Sequence, residues 1–325
     1  MITRFLYLNN IFFCVLILGI SISLWGCAST KSKEGVLKET EYKSILERQQ
    51  ESTSVTGKEE AIEENHKMTP EECERRGDNY LKHNNIDMAF IQYDRALRLN
   101  PNQPDINYKM GYLFLKKGLL EEAKEKFENI LKDDPSYALA YSGMGQAYLK
   151  SGEFDKAKEK FQQAIELDTG LWQAYNFIGI IYNNQQRFEE AITQYKAAID
   201  LKPDSVTLLN NLGMSYYFNG EYEKAAEVFM RTLRVDDSRN KVCNNLALTL
   251  SKLRRYEDAF NIFKRCGNEV TAYNNIGYVY MMDGKYKEAV KSFEKSIEMS
   301  PKLYVKAYNN LKKAKMVVEK SYLKN

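Results

Sequence analysis

The residues best placed to do chemistry in this chain are carboxamides. Asn176, Asn210, Asn211, Asn244, Asn245, Asn274 and Asn275 recur singly or in pairs at near-constant spacing. A primary carboxamide donates two hydrogen bonds and accepts through two lone pairs. A peptide group, with one N–H and one C=O, is its natural complement. A row of such amides could hold an extended main chain with little dependence on its side chains. Met214, Tyr217 and Tyr278 follow within two helical turns and could grip apolar side chains adaptably. Other chemistry is thin. The five cysteines, Cys14, Cys27, Cys73, Cys243 and Cys266, include no CxxC pair. Neither His66 nor His83 has a cysteine at ligand spacing, so no metal site is expected. No GxSxG, Walker-type or HExxH pattern occurs. Carboxylates abound, but they mingle with lysines, as in Glu121, Lys124, Glu125 and Lys126, the pattern of solvated helix faces. No catalytic residue, cofactor or small-molecule substrate is expected.

Bulk charge points away from nucleic acid. The 47 basic and 44 acidic residues leave a net charge of +3, whereas a nucleic-acid-binding domain usually carries a strongly basic face.

A repeat positions the asparagines. Gly77, Gly111, Gly145, Gly179 and Gly213 fall 34 apart; Ala247 continues the step and Gly277 follows at 30. Ala89, Ala123, Ala157, Ala191, Ala225, Ala259 and Ala289 keep the same rhythm, as do Tyr93, Phe127, Phe161, Tyr195, Phe229, Phe263 and Phe293. Pro101, Pro135, Pro203 and Pro301 close four units, with Thr169 and Asp237 in place of proline in two others. Self-similarity at such a period marks a solenoid of supersecondary units. The small–aromatic–small–aromatic–small–Pro order resembles the tetratricopeptide repeat family, over units at 70–103, 104–137, 138–171, 172–205, 206–239, 240–269 and 270–303.

The resemblance implies an all-α, right-handed α-solenoid of about seven helical hairpins. A C-terminal capping helix and tail, 304–325, should present a polar outer face. Counting from the start of each unit, small residues at positions 8 and 20 let the two helices of a hairpin approach, and aromatics at 11 and 24 fill the gaps. This accounts for most of the 23 tyrosines as core. Gly118, Gly152, Gly220 and Gly284 stand between the helices, where a left-handed cap ends the first. The sixth unit lacks four residues between Cys266 and Val270. Its second helix or the following turn must shorten, and the superhelix should be irregular near residue 268.

In this family the first helices line the concave face. The first unit would offer charged groups there, Glu71, Glu74, Asp78 and Lys82; later units offer the asparagines, with Met214, Tyr217 and Tyr278 beside them. The row is similar to the asparagine ladder of the O-GlcNAc transferase repeat domain, which implies protein or extended peptide segments as partners. The alternative reading is structural, with Asn at position 6 capping contacts between adjacent first helices. The carboxylate clamp of chaperone-binding repeats is not expected: the Lys–Asn pair of its first unit is missing, and Asn245 stands where it requires Arg. Cys73 and Cys243 at position 4 and Cys266 at position 27 read as small core side chains. An oxidising compartment would also permit a Cys243–Cys266 disulfide.

The N-terminus supplies an address. Arg4 is the only charged side chain before Lys31, and residues 11–25 form an apolar run shorter than the roughly 20 residues a membrane span needs. That reads as an export signal over 1–26. Leu24, Trp25, Gly26 and Cys27 resemble a bacterial lipobox, although Trp25 departs from the small or medium residue usual there. The resemblance implies a diacylated Cys27 and a membrane partner through the lipid anchor. Ala28, not Asp, implies the outer membrane on its periplasmic side, with the inner membrane as alternative. An uncleaved N-terminal anchor is the other reading. Residues 27–69 form a flexible tether too polar to fold alone, unless Val36, Leu37, Tyr42, Ile45 and Leu46 make a short amphipathic helix. Lipoproteins of this design resemble pilotins and Tad-type factors that assist pilus or secretion machines; envelope adaptors that dock peptidoglycan-modifying enzymes share the design. A targeting subunit of an enzyme is the reading from another class, opposed by the lack of a second domain in this sequence.

Overall fold

The computed structural model describes residues 68–236, 240–300 and 305–322, together with Ser44, which is helical. The apolar leader, Cys14, Cys27 and the rest of the tether lie outside the described residues. All described residues but Ser44 belong to one unit, 66–325. Their regular structure is fifteen α-helices with no strand. The helices are α1 (Pro70–Lys82), α2 (Ile86–Leu99), α3 (Pro104–Lys117), α4 (Leu120–Asp133), α5 (Ala138–Ser151), α6 (Phe154–Leu167), α7 (Trp172–Asn184) and α8 (Phe188–Leu201). They continue as α9 (Val206–Phe218), α10 (Tyr222–Val235), α11 (Asn240–Lys252), α12 (Tyr256–Cys266), α13 (Glu269–Met282), α14 (Tyr286–Glu298) and α15 (Val305–Tyr322). Each helix packs on its neighbours in the chain, and first helices also touch first helices, α5 on α7 and α7 on α9 among them. This is the stacked-hairpin solenoid expected from the period.

Local signals start and stop these helices. The Thr69 hydroxyl accepts from the Glu72 backbone N–H at 3.3 Å, while the Thr69 N–H donates to the Glu72 carboxylate at 3.1 Å. This capping box satisfies two otherwise orphaned donors. Asn268 and Thr271 make the same reciprocal pair at the start of α13. Buried positions on α4 are Ala123, Lys124, Phe127 and Ile130, the one-sided spacing that turns one helix face inward. The turn between the two helices of each hairpin has a left-handed residue at one fixed position. Gly118, Gly152, Gly220 and Gly284 occupy it with φ of 80°, 85°, 81° and 74°, but so do Asn84, Gln186 and Arg254 at 57°, 60° and 62°.

Inside six of the seven hairpins a glycine of the first helix lies against the aromatic ring of the second, Ala247 standing in its place in the sixth. A Cβ on Gly213 would fall 2.6 Å from the Phe229 ring, and one on Gly179 would fall 2.7 Å from Tyr195. The rings themselves are buried, Phe127, Phe161, Phe229 and Phe293 completely. Two of the tyrosines at position 11 are a different case. Tyr148 and Tyr182 are only half-buried, and cations cover their faces: Lys124 Nζ stands 4.6 Å from the Tyr148 centroid and the Arg187 guanidinium 4.6 Å from that of Tyr182. Such contacts keep part of the ring wet while covering its face, so these tyrosines sit at the edge of the core.

The missing four residues shorten the second helix. α12 has 11 residues where α10 has 14. Its last residue, Cys266, forms a disulfide with Cys243 of α11, with Cα atoms 6.4 Å apart. Of the three cysteines read as core side chains, only Cys73 is a free, buried thiol; burial pushes its pKa up. The contact between α11 and α13 is thinner than those of α7 with α9 and α9 with α11. α15 packs on α14 and α13 through Ala307 and Ala314, both fully buried. Its outer face is mixed: Val305, Tyr308, Met316 and Val317 are exposed beside the exposed Lys306, Lys312 and Lys313.

Candidate functional site

The asparagines converge on a seam between successive first helices. A side chain at position 6 of one unit reaches position 5 of the unit before it. Asn211 Nδ2 on α9 donates to Asn176 Oδ1 on α7 at 3.1 Å. Asn245 Nδ2 on α11 donates to Asn210 Oδ1 on α9 at 2.9 Å. Asn310 Nδ2 on α15 donates to Asn274 Oδ1 on α13 at 3.1 Å. A second rung lies one to two turns further on, where Ser215 Oγ donates to Asn183 Oδ1 at 3.0 Å and Asn183 Nδ2 donates to the Tyr195 hydroxyl at 3.3 Å. These amides tie adjacent first helices, as the structural alternative anticipates.

Burial sorts the residues expected in the groove. Asn176 and Asn274 are 8% and 1% exposed, too deep to meet a ligand directly in this conformation. Asn210, Asn211, Asn245, Asn275, Met214 and Tyr217 are half-buried, while Asn244 is exposed. Tyr278 stands 45% exposed. Tyr217 belongs to an aromatic cluster, its ring 5.5 Å from both Phe218 and Tyr222. Burial, reinforced by Tyr222 and Asp283, pushes its hydroxyl up to about 12.

Two residues of the seam are absent from the sequence reading. Asn310 is one. Lys109 on α3 is another: its Nζ donates to Glu74 at 2.7 Å and to both Asp78 oxygens at 2.8 Å. Glu74 and Lys109 stand 35 apart, the same step as Asn176 and Asn211, so the ion pair occupies the place of an amide rung. Burial opposes the charge on Lys109, but the bonds to Asp78 and Glu74 outweigh it and raise its pKa. The repeat of 35 was the signal for Lys109; reading for one residue type hid it.

Among the described residues no group of three His, Cys, Asp or Glu could hold a metal ion. No described helix is long and apolar enough to cross a membrane.

Comparisons with known proteins agree on the architecture. The family model described as Cilia and flagella-associated protein 70 C-terminal domain matches residues 37–267, and the tetratricopeptide repeat model matches residues 270–303. The two matches meet at the short sixth unit, and the first begins inside the stretch read as a tether. No curated protein matches. Among solved structures, the C-terminal part of a TPR repeat-containing protein from Cytophaga hutchinsonii superposes with a TM-score of 0.55 at 20% identity, covering 73% of this chain and 98% of that one. The APC/C hetero-tetramer Cut9-Hcn1 superposes with a TM-score of 0.53 at 18% identity, covering 84% of this chain and 52% of the other. MamA shares 27% identity over 50% of this chain and 94% of its own, with a TM-score of 0.43. The first two likenesses concern the fold alone. Helical hairpins stacked in register, the glycine–aromatic contacts inside them and a family match over more than half of the length together make this chain a tetratricopeptide-repeat protein of the family described as Cilia and flagella-associated protein 70 C-terminal domain.

Proposed function

We propose that the chain is a non-catalytic interaction scaffold that holds an extended segment of a partner protein along the first-helix face of units four to seven. One observation carries this reading. Next to the amide seam, one helical turn along α9, α11 and α13, runs an apolar row of Met214, Leu248 and Tyr278, the first two half-buried and the last 45% exposed. Amides beside adaptable apolar groups suit a main chain with alternating side chains. The test is a selection of short random peptides against the full chain, followed by affinity measurement on a Met214→Ala, Leu248→Ala and Tyr278→Ala triple variant. Equal affinity for wild type and variant would sink the reading.

The address is part of the same proposal. The lipobox-like Leu24 to Cys27 would place the scaffold on a membrane facing the periplasm, at the outer membrane by the residue after Cys27. The Cys243–Cys266 disulfide supports an oxidising compartment. There the scaffold would aid assembly of an envelope machine such as a pilus or secretion system. Labelling with a palmitate analogue should mark wild type and not Cys27→Ser. Crosslinking that returned peptidoglycan-modifying enzymes in place of assembly subunits would redirect the assignment to an enzyme-docking adaptor.

A further inference from the structure

The last helix departs from the charge pattern of the array. On earlier helices an exposed cation often pairs with a carboxylate three residues away, as Lys156 does with Glu153, Arg187 with Glu190, Lys224 with Glu221 and Lys295 with Glu298. On α15 the ion pair runs instead from Lys315 to Glu294 of α14, at 2.8 Å. Lys306, Lys312 and Lys313 are exposed and make no ion pair among the described residues. Residues 305–325 hold six lysines against one glutamate, a surplus larger than the net charge of +3 on the whole chain.

Apolar side chains are interleaved with these lysines. Val305 and Tyr308 are more than half exposed, and Met316 and Val317 are exposed as well. Val305, Tyr308, Lys312 and Met316 follow at steps of three, four and four, so they line one face of the helix. The fully buried Ala307 and Ala314 hold the opposite face. The repeat itself does not cover the outer face. The text Ala-Tyr-Asn-Asn of 272–275 returns at 307–310, so Lys312 stands where α13 has Gly277. Gly277 lets the Phe293 ring close on α13, since a Cβ there would fall 2.8 Å from it. A lysine at that place forbids a further second helix the same approach.

We propose that this face of α15 rests on an anionic phospholipid surface, its lysines on the lipid phosphates and Val305, Tyr308 and Met316 at the acyl boundary. The surplus of unpaired lysines calls for a negatively charged occupant. The face is that of a single convex helix, which offers no pocket for the anchor residues of a protein partner, whereas fluid lipid shapes itself to it. Helices that lie in the bilayer interface combine lysines with apolar side chains in this way. Lysine stems stay in apolar surroundings while their charge reaches the headgroups, and tyrosine favours the same layer. A second copy of this chain is the wrong occupant, because it would set lysine against lysine. The contact is independent of the Cys27 anchor and of the peptide-binding reading.

The test places the photoreactive residue p-benzoylphenylalanine at Tyr308 of the full chain carrying Cys27→Ser. The protein is irradiated with vesicles of phosphatidylcholine alone, or of equal parts phosphatidylcholine and phosphatidylglycerol, and lipid adducts on the peptide holding residue 308 are measured by mass spectrometry. The same reporter at Leu139, exposed on α5, controls for lipid brought close by the apolar leader. Adduct should form at 308 with phosphatidylglycerol present, weakly with phosphatidylcholine alone, and not at 139. Each lysine beside an anionic surface contributes roughly fivefold to affinity. Lys306→Gln/Lys312→Gln/Lys313→Gln should therefore cut the yield at limiting lipid by about 100-fold, with thermal stability unchanged. A yield indifferent to phosphatidylglycerol or to the three lysines overturns the proposal, as does equal labelling at 139. If in whole cells the reporter at 308 marks a protein and no lipid, the face docks an acidic protein and the lipid assignment falls.

Discussion

Asn211 Nδ2 donates to Asn176 Oδ1 across 3.1 Å, from α9 to α7, and the acceptor is nearly buried at 8% exposure. Asn211→Ala would leave that carbonyl oxygen unpaired. The cost should be about 1–3 kcal/mol, the usual penalty for an orphaned buried polar group. Asn244→Ala removes an exposed amide that has no partner among the described residues, and should change stability by less than about 0.5 kcal/mol. Urea unfolding of the two variants side by side separates the bonded amides from the exposed one; equal costs would contradict the pairing described.

Gly213 and Phe229 set the spacing within the fifth hairpin. A methyl at Gly213 would lie 2.6 Å from a fully buried ring. Gly213→Ala should destabilise by roughly 1–3 kcal/mol through overpacking, despite the better helix propensity of alanine. A gain in denaturation midpoint would mean that the ring yields freely.

Arg254 holds a left-handed conformation at φ 62°, where four other hairpins have glycine. A side chain in this region is strained by about 1–2 kcal/mol. Arg254→Gly should therefore stabilise by roughly 0.5–1 kcal/mol, after allowing for the extra freedom of glycine in the unfolded chain. Calorimetry reads this directly, and a lowered melting temperature would show that the Arg254 side chain contributes more than its backbone strain costs.

The Cys243–Cys266 disulfide spans 23 residues. Closing a loop of that size stabilises by about 3 kcal/mol on chain-entropy grounds. Reduction, or Cys243→Ala/Cys266→Ala, should lower the denaturation midpoint by a corresponding amount. Hydrogen exchange should rise first at α12 and the start of α13. An unchanged midpoint under reductant would show that helix packing alone holds the short unit.

High pH should unfold the array. Burial raises the hydroxyl pKa of Tyr93, Tyr137, Tyr195 and Tyr217, the last to about 12, and hydrogen bonding to Asp78 raises that of Tyr93 further. A tyrosine in the unfolded chain titrates near about 10. The folded state thus holds these protons more tightly, so their contribution to stability is complete below about pH 10 and is lost as pH rises through the folded values. Lys109, with its pKa also raised, acts in the same direction. Tyr217→Phe should flatten the fall in unfolding free energy between about pH 10 and 12; an identical slope in the variant would assign the effect elsewhere.

Much of the architecture was legible in the sequence because it rests on local rules. A 34-residue period, glycines 34 apart and aromatics keeping step follow from helix geometry and from the size of a Cβ, and the glycine–ring contacts lie where that spacing put them. Gly118, Gly152, Gly220 and Gly284 announced left-handed turns through residue type alone. Asn84, Gln186 and Arg254 adopt the same conformation without announcing it, since there the hairpin packing imposes the turn. The tertiary structure decided what no local rule contains. It turned the asparagines toward one another, because units stack close enough for an amide at one level to reach the next. It joined Cys243 to Cys266, because the deletion fell on α12 and brought the end of that helix beside α11. And it paired Asn275 with its own neighbour Asn274, because which amides meet depends on the spacing of first helices, itself the sum of every packing contact beneath them.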